Sequence, residues 1–293
     1  MPPTTFGVMF RRDFAPELLP AFAQRVEAAG FDELWVVEDL GFHGGFSQVV
    51  AALAATTRIT VGLGIAPAVV RNTAFTAMEV ATIARLFPGR FHMGLGHGVD
   101  TWIAQVGATP ASWLASLEEV CVAVKQLVAG DRVQVDGLHV HLDDVALVHP
   151  VAGAGPLVSL GVRQPKSIAL AGRVADGVIL AECSGPAYVA ETRAAVGAGS
   201  RITVFMNATT DVDAARVEVD KRIAQDRFAS QMRVYADTGL DLHRELLIAG
   251  DPATWVAQSQ RWVDAGADSI VWVPLMSDPP EVLDTFIAAL HAR

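Results

Sequence analysis

The chain has 293 residues, of which 52% are hydrophobic and 18% are charged, and its formal net charge is −10. A chain of this length and composition can bury a large core, either as one α/β barrel or as two smaller domains. Binding to nucleic acid or to an anionic membrane is not expected, because both require a basic protein face. The only lysines are Lys125, Lys166 and Lys221, so an anionic ligand would be held mainly by arginines, backbone amides and helix N-termini.

Cysteine usage and the N-terminal sequence indicate a cytoplasmic protein. Cys121 and Cys183 are far apart and match no zinc or CxxC spacing, so they are interpreted as buried thiols in a reducing compartment. The N-terminus lacks the basic region and apolar run of a secretory signal. Residues 145–162 contain no Asp, Glu, Lys or Arg, but prolines and glycines interrupt them. They are therefore predicted as loop and strand, not as a membrane helix.

Short apolar runs alternate with helical patterns along the chain. Nearly continuous apolar strands that alternate with amphipathic helices are typical of a parallel sheet covered by helices. The predicted strands are Phe6–Phe10, Leu34–Val37, Ile59–Ile65, Phe91–Leu95, Leu157–Gly161, Val178–Ala181, Ile202–Met206 and Ser269–Val273. A further pair of short strands, within residues 132–142, is predicted as a hairpin that turns at Asp136 and Gly137.

A weak internal repeat favours a barrel. Val26–Val37 and Val263–Val273 each contain a helix end, a glycine and an apolar strand, which is the helix-to-strand joint of a barrel. Eight such units predict a (β/α)8 TIM barrel as a single domain over residues 1–293, with a doubly wound open sheet as the alternative. An insertion at about residues 208–250, before the last strands, is expected at the C-terminal face of the barrel, over a substrate pocket.

The stretch Phe91–Gly98 predicts a strand that ends in a glycine-rich turn. Gly94, Gly96 and Gly98 have no Cβ atoms and permit positive φ angles, so that their backbone amides can converge on an anion. His97 lies in the same turn and can exchange a proton near neutral pH. The pattern favours a cofactor cradle, and a glycine-rich turn without a ligand is the alternative.

Four stretches, in this order and spacing, resemble the luciferase-like monooxygenase family, in particular its branch that uses the deazaflavin coenzyme F420. They are Glu33–Asp39, Val61–Asn72, Pro88–Gly98 and Leu170–Leu180, and the resemblance covers nearly the whole chain. It implies a barrel whose open end holds an isoalloxazine-like ring, with the phosphate tail toward the loops of the later strands. It also implies a bulge with a non-proline cis peptide that backs the ring. The matching residues are Leu63, Gly64, Ile65 and Ala66, without a fixed register.

The resemblance also supplies two candidate catalytic residues. Asp39 matches an acidic residue that contacts the ring system, whereas an N-cap or a surface carboxylate is the alternative. The family often has a histidine next to this aspartate, but this chain has Leu40, so that role is not carried over. His97 stands where some deazaflavin dehydrogenases have a glutamate that acts as an acid, and an imidazole there can transfer a proton. The alternative for His97 is that it orders the loop or stacks on the ligand.

A second candidate phosphate site follows the fifth predicted strand. Gly161, Val162 and Arg163 lie at the start of a predicted helix, where backbone amides favour an anion. Lys166 is a nearby cation, with a solvated helix residue as the alternative. Arg71 follows the third strand and is a further candidate for an anionic group. Trp102 is a candidate wall of the substrate pocket, with a buried core tryptophan as the alternative.

These assignments predict an oxidoreductase that transfers a hydride between coenzyme F420 and a small organic substrate. One alternative is an FMN-dependent two-component monooxygenase that uses reduced flavin and oxygen. Another is a barrel that binds the cofactor without turnover. No metal site is expected, because His139 and His141 lie in the hairpin outside the barrel repeat. The resemblance further implies a homodimer formed through the early helices.

Overall fold

The computed structural model describes residues 3–275 and 277–292, so that residues 1, 2 and 293 at the ends of the predicted domain lie outside the described residues. Eight parallel strands form a closed barrel, in which each strand pairs with its neighbours and the last barrel strand returns to the first. They are β1 (Thr5–Met9), β2 (Glu33–Val36), β3 (Thr60–Pro67), β4 (Phe91–Gly96), β7 (Leu157–Gly161), β8 (Gly177–Leu180), β9 (Arg201–Thr209) and β11 (Ser269–Val273). The predicted (β/α)8 barrel is confirmed, and the open sheet is wrong.

Three further strands lie outside the barrel. The predicted hairpin is present as β5 (Val133–Asp136) and β6 (His141–Val145), which pair antiparallel. The strand β10 (Ile248–Ala249) pairs with the end of β9. The sequence pattern did not predict β10, because two residues are too short to show a periodicity.

Helices cover the outside of the barrel, and side chains cap several of them. The Asn72 and Ser112 side chains accept hydrogen bonds from backbone amides at two helix starts, and Gly130, with φ of 100°, ends the longest helix. The helices are α1 (Leu19–Ala28), α2 (Gly45–Ala54), α3 (Thr73–Leu86), α4 (Asp100–Gln105), α5 (Trp113–Ala129), α6 (Pro165–Val174), α7 (Pro186–Val196), α8 (Val212–Ile223), α9 (Ala229–Met232), α10 (Leu242–Leu246), α11 (Trp255–Asp264) and α12 (Leu283–His291). Short 3-10 turns cover Pro16–Leu18, Asp226–Phe228, Arg233–Tyr235, Pro252–Thr254 and Pro280–Val282. Among the described residues, no helix combines the length and apolar composition of a membrane span.

A buried ion pair crosses the barrel interior near the N-terminal ends of the strands. Arg201 Nη2 lies 2.5 Å from Glu33 Oε1, and Glu33 Oε2 accepts hydrogen bonds from Trp35 Nε1 at 2.7 Å and Ser269 Oγ at 2.8 Å. Burial alone would raise the pKa of Glu33, but the charge of Arg201 and these hydrogen bonds hold it below its usual value. The pair therefore joins β2, β9 and β11.

An aromatic layer separates this ion pair from the open end. The Trp35 ring packs edge-on against His92, with 4.9 Å between centroids, and against Phe205 at 5.2 Å. His92 Nε2 lies 2.7 Å from Ser159 Oγ. Burial lowers the pKa of His92 to about 4, although the charge of Glu33 opposes this shift. The imidazole is therefore neutral at neutral pH and serves as a hydrogen-bonding part of the core.

Residues 210–247 pack on the loop that follows β8, at the C-terminal end of the barrel. Their apolar side chains, including Phe228 and Leu246, form a small core of their own with Cys183 and Leu275. Gln231 is fully buried, and its Nε2 donates to Glu182 O at 3.1 Å and to Ser184 Oγ at 2.9 Å. This segment therefore lies beside the open end.

Candidate cofactor and substrate site

A cavity of about 1090 Å³ opens at the C-terminal ends of the barrel strands. Its lining comes from the strand ends, from the loops that follow β1, β2, β4, β7 and β8, and from the segment at residues 210–247. The C-terminal face is where barrels of this type carry their sites. The sequence-predicted site residues that line the cavity are Asp39, Gly64, Ile65, His97, Gly98, Gly161, Val162 and Arg163.

The floor of the cavity is formed by a bulge in β3. The pairing of β3 with β4 shifts register between Leu63 and Ala66, and the peptide bond between Gly64 and Ile65 is cis. Gly64 and Ile65 line the cavity. Leu63 and Ala66, which were also predicted to contact the cofactor, are buried in the main hydrophobic core and are not among the described residues that line the cavity.

Three glycines make room for Ile65 in the floor. A Cβ atom on Gly161 would lie 2.5 Å from Ile65 Cγ2, and one on Gly96 would lie 3.0 Å from Ile65 Cδ1. A Cβ atom on Gly94 would lie 2.4 Å from the carbonyl oxygen of Leu63. These distances are below normal contact, so the bulge requires glycine in the adjacent strand β4 and in β7, the next strand around the barrel. In the described structure Gly94 and Gly96 pack against the bulge and do not line the cavity, and their contact with a phosphate stays a prediction.

His97 leaves the end of β4 and enters the cavity wall. Its Nε2 lies 3.4 Å from Ser167 Oγ in the first turn of α6, and its ring meets Trp113 edge-on at 6.0 Å. The next residue, Gly98, has φ of 76°, a conformation that strongly favours glycine. Burial lowers the pKa of His97, and the charge of Asp100 opposes the shift only in part. A neutral imidazole therefore faces the cavity at neutral pH.

Asp39 is paired with an arginine that the sequence analysis did not single out. Arg12 Nη1 donates to Asp39 Oδ2 at 2.6 Å. The Arg12 guanidinium also lies over the rings of Phe42 and Trp102, at 4.8 and 5.6 Å from the centroids. The only sequence signal for Arg12 is its position in the loop that follows the first strand. Trp102 lines the cavity, as the sequence suggested.

Arg71 has a different position from the one suggested by the sequence. Its guanidinium forms two hydrogen bonds with the Glu38 carboxylate, one of them 2.8 Å long, and it lies over the Phe46 ring. It is not among the described residues that line the cavity. An arginine held in this way is a structural link between the loops after β2 and β3.

The remaining wall comes from β8 and α8, and sequence reasoning missed it. Arg222 Nε lies 2.7 Å from Glu218 Oε1, and Arg222 Nη1 lies 3.5 Å from Glu182 Oε1. Burial alone would raise the pKa of Glu182, but the charges of Arg222 and Arg163, together with hydrogen bonds, hold it below its usual value. This ion-pair cluster joins α8 to the barrel.

The sequence model of the family described as luciferase-like monooxygenase matches residues 7–269. The chain belongs to this family. One similar protein is 5,10-methylenetetrahydromethanopterin reductase of Methanolobus tindarius, 27% identical over 78% of this chain and 70% of that protein. Another is F420-dependent glucose-6-phosphate dehydrogenase of Beutenbergia cavernae, 25% identical over 96% of this chain and 94% of that protein.

Solved structures share this luciferase-like fold over almost the whole chain. An F420-dependent secondary alcohol dehydrogenase in complex with an F420-acetone adduct superposes with a TM-score of 0.81, at 19% identity, and covers 99% of both chains. The monooxygenase RslO1 from Streptomyces bottropensis superposes with a TM-score of 0.76, at 20% identity, and covers 98% of both chains. At these identities the likeness shows the fold alone.

The packing of glycine against the bulge in β3 leads to a prediction for a double mutant. We expect Gly161→Ala to lower the free energy of unfolding by about 1–3 kcal/mol, because the new methyl group overlaps Ile65 Cγ2. In an Ile65→Ala background, which lacks Cγ2, the cost of Gly161→Ala should fall. Urea unfolding of all four proteins measures the coupling energy. A cost that is equal in the two backgrounds would contradict the role assigned to Gly161.

Proposed function

We propose that the chain is an oxidoreductase that transfers a hydride between coenzyme F420 and a small organic substrate. The observation that carries the proposal is the joint position of three features at one cavity: the Gly64–Ile65 bulge, the His97 imidazole and the Gly161–Arg163 loop. The relatives that are named for F420 dependence or for methylenetetrahydromethanopterin reduction support the same reading.

The residues of the cavity fit this cofactor. Its volume of about 1090 Å³ exceeds that of most pockets for small ligands, which hold roughly 300–1,000 Å³, and suits a ring with an extended tail. Ile65 and Phe205 give the inner end of the cavity an apolar surface on which a planar ring can lie. Arg163 and the first turn of α6 offer a cation and backbone amides to a phosphate.

When bound, F420 supplies a ring carbon that accepts or donates a hydride. The protein orients the substrate and excludes water, and it transfers one proton. His97 is the candidate for that transfer. Its neutral imidazole accepts the hydroxyl proton of an alcohol substrate during oxidation, and in the reverse direction its imidazolium form returns a proton to the product oxygen. We assign Asp39 to the cofactor end of the cavity, where Arg12 fixes its carboxylate.

A flavin monooxygenase is the second candidate, because RslO1 shares the fold and because the same cavity would hold reduced FMN.

Titration of the purified protein with F420 and, separately, with FMN distinguishes the two functions. We expect F420 to bind with micromolar or tighter affinity and FMN to bind more weakly, with ligand fluorescence as the measurement. A preference for FMN, together with oxygen uptake in the presence of reduced FMN, would contradict the F420 proposal.

The proposed role of His97 predicts a specific dependence on pH. Because burial lowers the pKa of His97, the neutral base is present at neutral pH and is lost only as the pH falls below the ordinary histidine value. In the direction of substrate oxidation, the wild-type turnover rate should decrease on that acidic side. His97→Gln should reduce turnover by about 10²–10⁴-fold, remove the acidic limb and leave F420 binding nearly unchanged.

His43→Gln is the matched control for this prediction. His43 Nε2 contacts the carbonyl oxygen of Phe14 at 3.2 Å, and His43 is not among the described residues that line the cavity. We expect this variant to keep the wild-type turnover and pH profile. If His97→Gln also kept them, a catalytic role of His97 would be excluded.

We also propose that the protein is a homodimer that associates through α3. Phe75, Met78 and Leu86 are 65%, 49% and 62% exposed, and their spacing places them on one face of that helix. An apolar stripe of this kind is typical of an interface.

A Phe75→Glu/Met78→Glu variant should be monomeric in light scattering after gel filtration. The control Leu138→Glu, whose side chain is similarly exposed on the β5–β6 hairpin, should stay dimeric. A monomeric wild type would contradict the proposal.

Two further assignments are proposals of the same kind. The chain is one domain over residues 1–293, with an insertion at about 208–250, and a single cooperative unfolding transition would agree with this. The free buried thiols of Cys121 and Cys183 support a cytoplasmic location. Cell fractionation tests that location directly.

A further inference from the structure

His97 is held at three points, two of which are the first turns of helices. Its backbone lies between Gly96, the last residue of β4, and Gly98, whose φ of 76° ends the extended conformation. Its ring meets Trp113, the first residue of α5, edge-on with 6.0 Å between the centroids. Its Nε2 atom lies 3.4 Å from Oγ of Ser167, the third residue of α6. The position of the imidazole is therefore set by β4, α5 and α6 together.

Ser167 is a buried residue whose hydroxyl contacts this histidine. It is 7% exposed, and within residues 3–275 and 277–292 its Oγ has no hydrogen-bond partner other than His97 Nε2. A buried hydroxyl normally has a hydrogen-bond partner, and His97 supplies it here. Hydrogen bonds of catalytic groups are often long before a ligand binds, and the distance of 3.4 Å agrees with this. Both residues line the cavity, so their contact lies beside any ligand bound there.

The two ring nitrogens of His97 have different surroundings. Nε2 is engaged by Ser167, whereas no protein group in the described part of the chain forms a hydrogen bond with Nδ1. The carboxylate of Asp100, in the first turn of α4, acts on the imidazole through its charge. Nδ1 is therefore the nitrogen that remains for a ligand. In a neutral imidazole one nitrogen carries the proton and the other has the lone pair, so the partner of Nε2 decides what Nδ1 can do.

Two proton arrangements of the neutral ring satisfy the contact. If Ser167 Oγ–H donates to Nε2, the ring proton is on Nδ1, and His97 cannot accept a proton from a ligand through that nitrogen. If Nε2–H donates to Ser167 Oγ, Nδ1 has a lone pair that faces no protein donor and is a base. Only the second arrangement permits the proton transfer from an alcohol that the proposed function assigns to His97.

We propose that Ser167 is a positioning residue that accepts a hydrogen bond from Nε2–H of His97, so that Nδ1 is the atom that exchanges a proton with the substrate. This proposal rests on the proposed function for the exchange itself. During oxidation the alcohol loses a hydride to oxidised F420 and its hydroxyl proton to Nδ1, and a carbon–oxygen double bond forms. The proton on Nε2 stays on the ring. Ser167 Oγ then stabilises the imidazolium, in which both nitrogens are donors.

Removal of the Ser167 hydroxyl should leave the imidazole in the cavity wall without a fixed proton arrangement. Trp113 and the backbone of β4 still hold the ring in Ser167→Ala. Neither nitrogen then has a protein partner that selects the site of the proton, so both neutral tautomers are populated. Only one of them presents a lone pair at Nδ1. The rate of proton transfer should therefore fall, while the binding of F420, which uses other groups, should not.

The first test measures the tautomer of His97 in the ligand-free full chain, by NMR of the imidazole 15N nuclei at a pH above the pKa of the ring. The signals of His97 are those that are missing in His97→Gln. In the wild type and in Ser167→Thr, which keeps a hydroxyl, we expect a protonated Nε2 and an unprotonated Nδ1. In Ser167→Ala the two 15N shifts should approach each other. A protonated Nδ1 in the wild type, or an unchanged pattern in Ser167→Ala, would overturn the proposal.

The second test is the reduction of F420 by a panel of small primary and secondary alcohols. Ser167→Ala should lower kcat about tenfold, as expected for the loss of one hydrogen bond, with a nearly unchanged Kd for F420, and Ser167→Thr should regain most of the rate. Ser47→Ala is the matched control, because Ser47 is the third residue of α2 and is not among the described residues that line the cavity. It should behave like the wild type. A weaker Kd with an unchanged kcat in Ser167→Ala would make Ser167 a ligand contact and overturn the positioning role.

The two tests separate this proposal from the proposed function. If the wild type neither binds F420 nor oxidises any alcohol of the panel, the proposed function fails, and proton exchange with a substrate fails with it. The NMR measurement needs no ligand and still decides whether Ser167 fixes the tautomer of His97. If F420 is reduced but the tautomer of His97 does not depend on Ser167, the proposed function stands and the positioning role is wrong.

Discussion

The contact between Ile65 in β3 and the glycines of β4 and β7 is the constraint on which the site depends. The bulge in β3 brings Ile65 into the barrel, and this is sterically allowed only because Gly96 and Gly161 have no side chains. His97 directly follows Gly96, and Val162 and Arg163 directly follow Gly161. The two strands that accommodate the bulge therefore also deliver the proton-transfer candidate and the candidate phosphate loop. The position of the bulge in the floor and the positions of His97 and Arg163 in the wall are therefore linked through the backbones of β4 and β7.

The two ends of the barrel have different chemical tasks. At the N-terminal end, Glu33 and Arg201 are paired and hydrogen-bonded, and removal of one partner from a buried pair typically costs about 3–5 kcal/mol. At the C-terminal end, charged groups such as Arg163 and Arg227 lack ion-pair partners among the described residues, which is unfavourable for the protein alone and favourable for an anionic ligand. The Trp35–Phe205 layer separates these two environments. Stability and binding are thus assigned to opposite ends, as is general for barrels.

The sequence predicted the fold well because its signal is local. Leu157–Gly161 and Ser269–Val273 have the bounds that the apolar runs indicated, since strands buried on both sides contain little else. The strand β9 continues through Asn207 to Thr209, beyond the apolar run, because its polar end pairs with the short β10. Hydrophobic periodicity carries no information about such an extension.

The site was predictable only where it lies next to a strand end. His97 and Arg163 lie in loops that directly follow strands, so the order of elements already placed them at the open face. Arg222 and Arg227 are distant in sequence from those strands, and only the folding of residues 210–247 brings them to the cavity. Gly94 shows a different limit: the absence of a Cβ serves close packing as well as ligand approach, and the sequence alone does not distinguish the two.

The scarcity of lysine has a practical consequence for labelling. Lys125 is held by an ion pair with Asp176 at 2.6 Å, whereas Lys166 and Lys221 are exposed at the cavity. Apart from the N-terminal amine, the primary amines most accessible to a reagent are therefore those at the mouth of the site. Amine coupling to a dye or to a solid support would preferentially attach the protein by its open face, and thiol chemistry at an introduced surface cysteine would leave that face free.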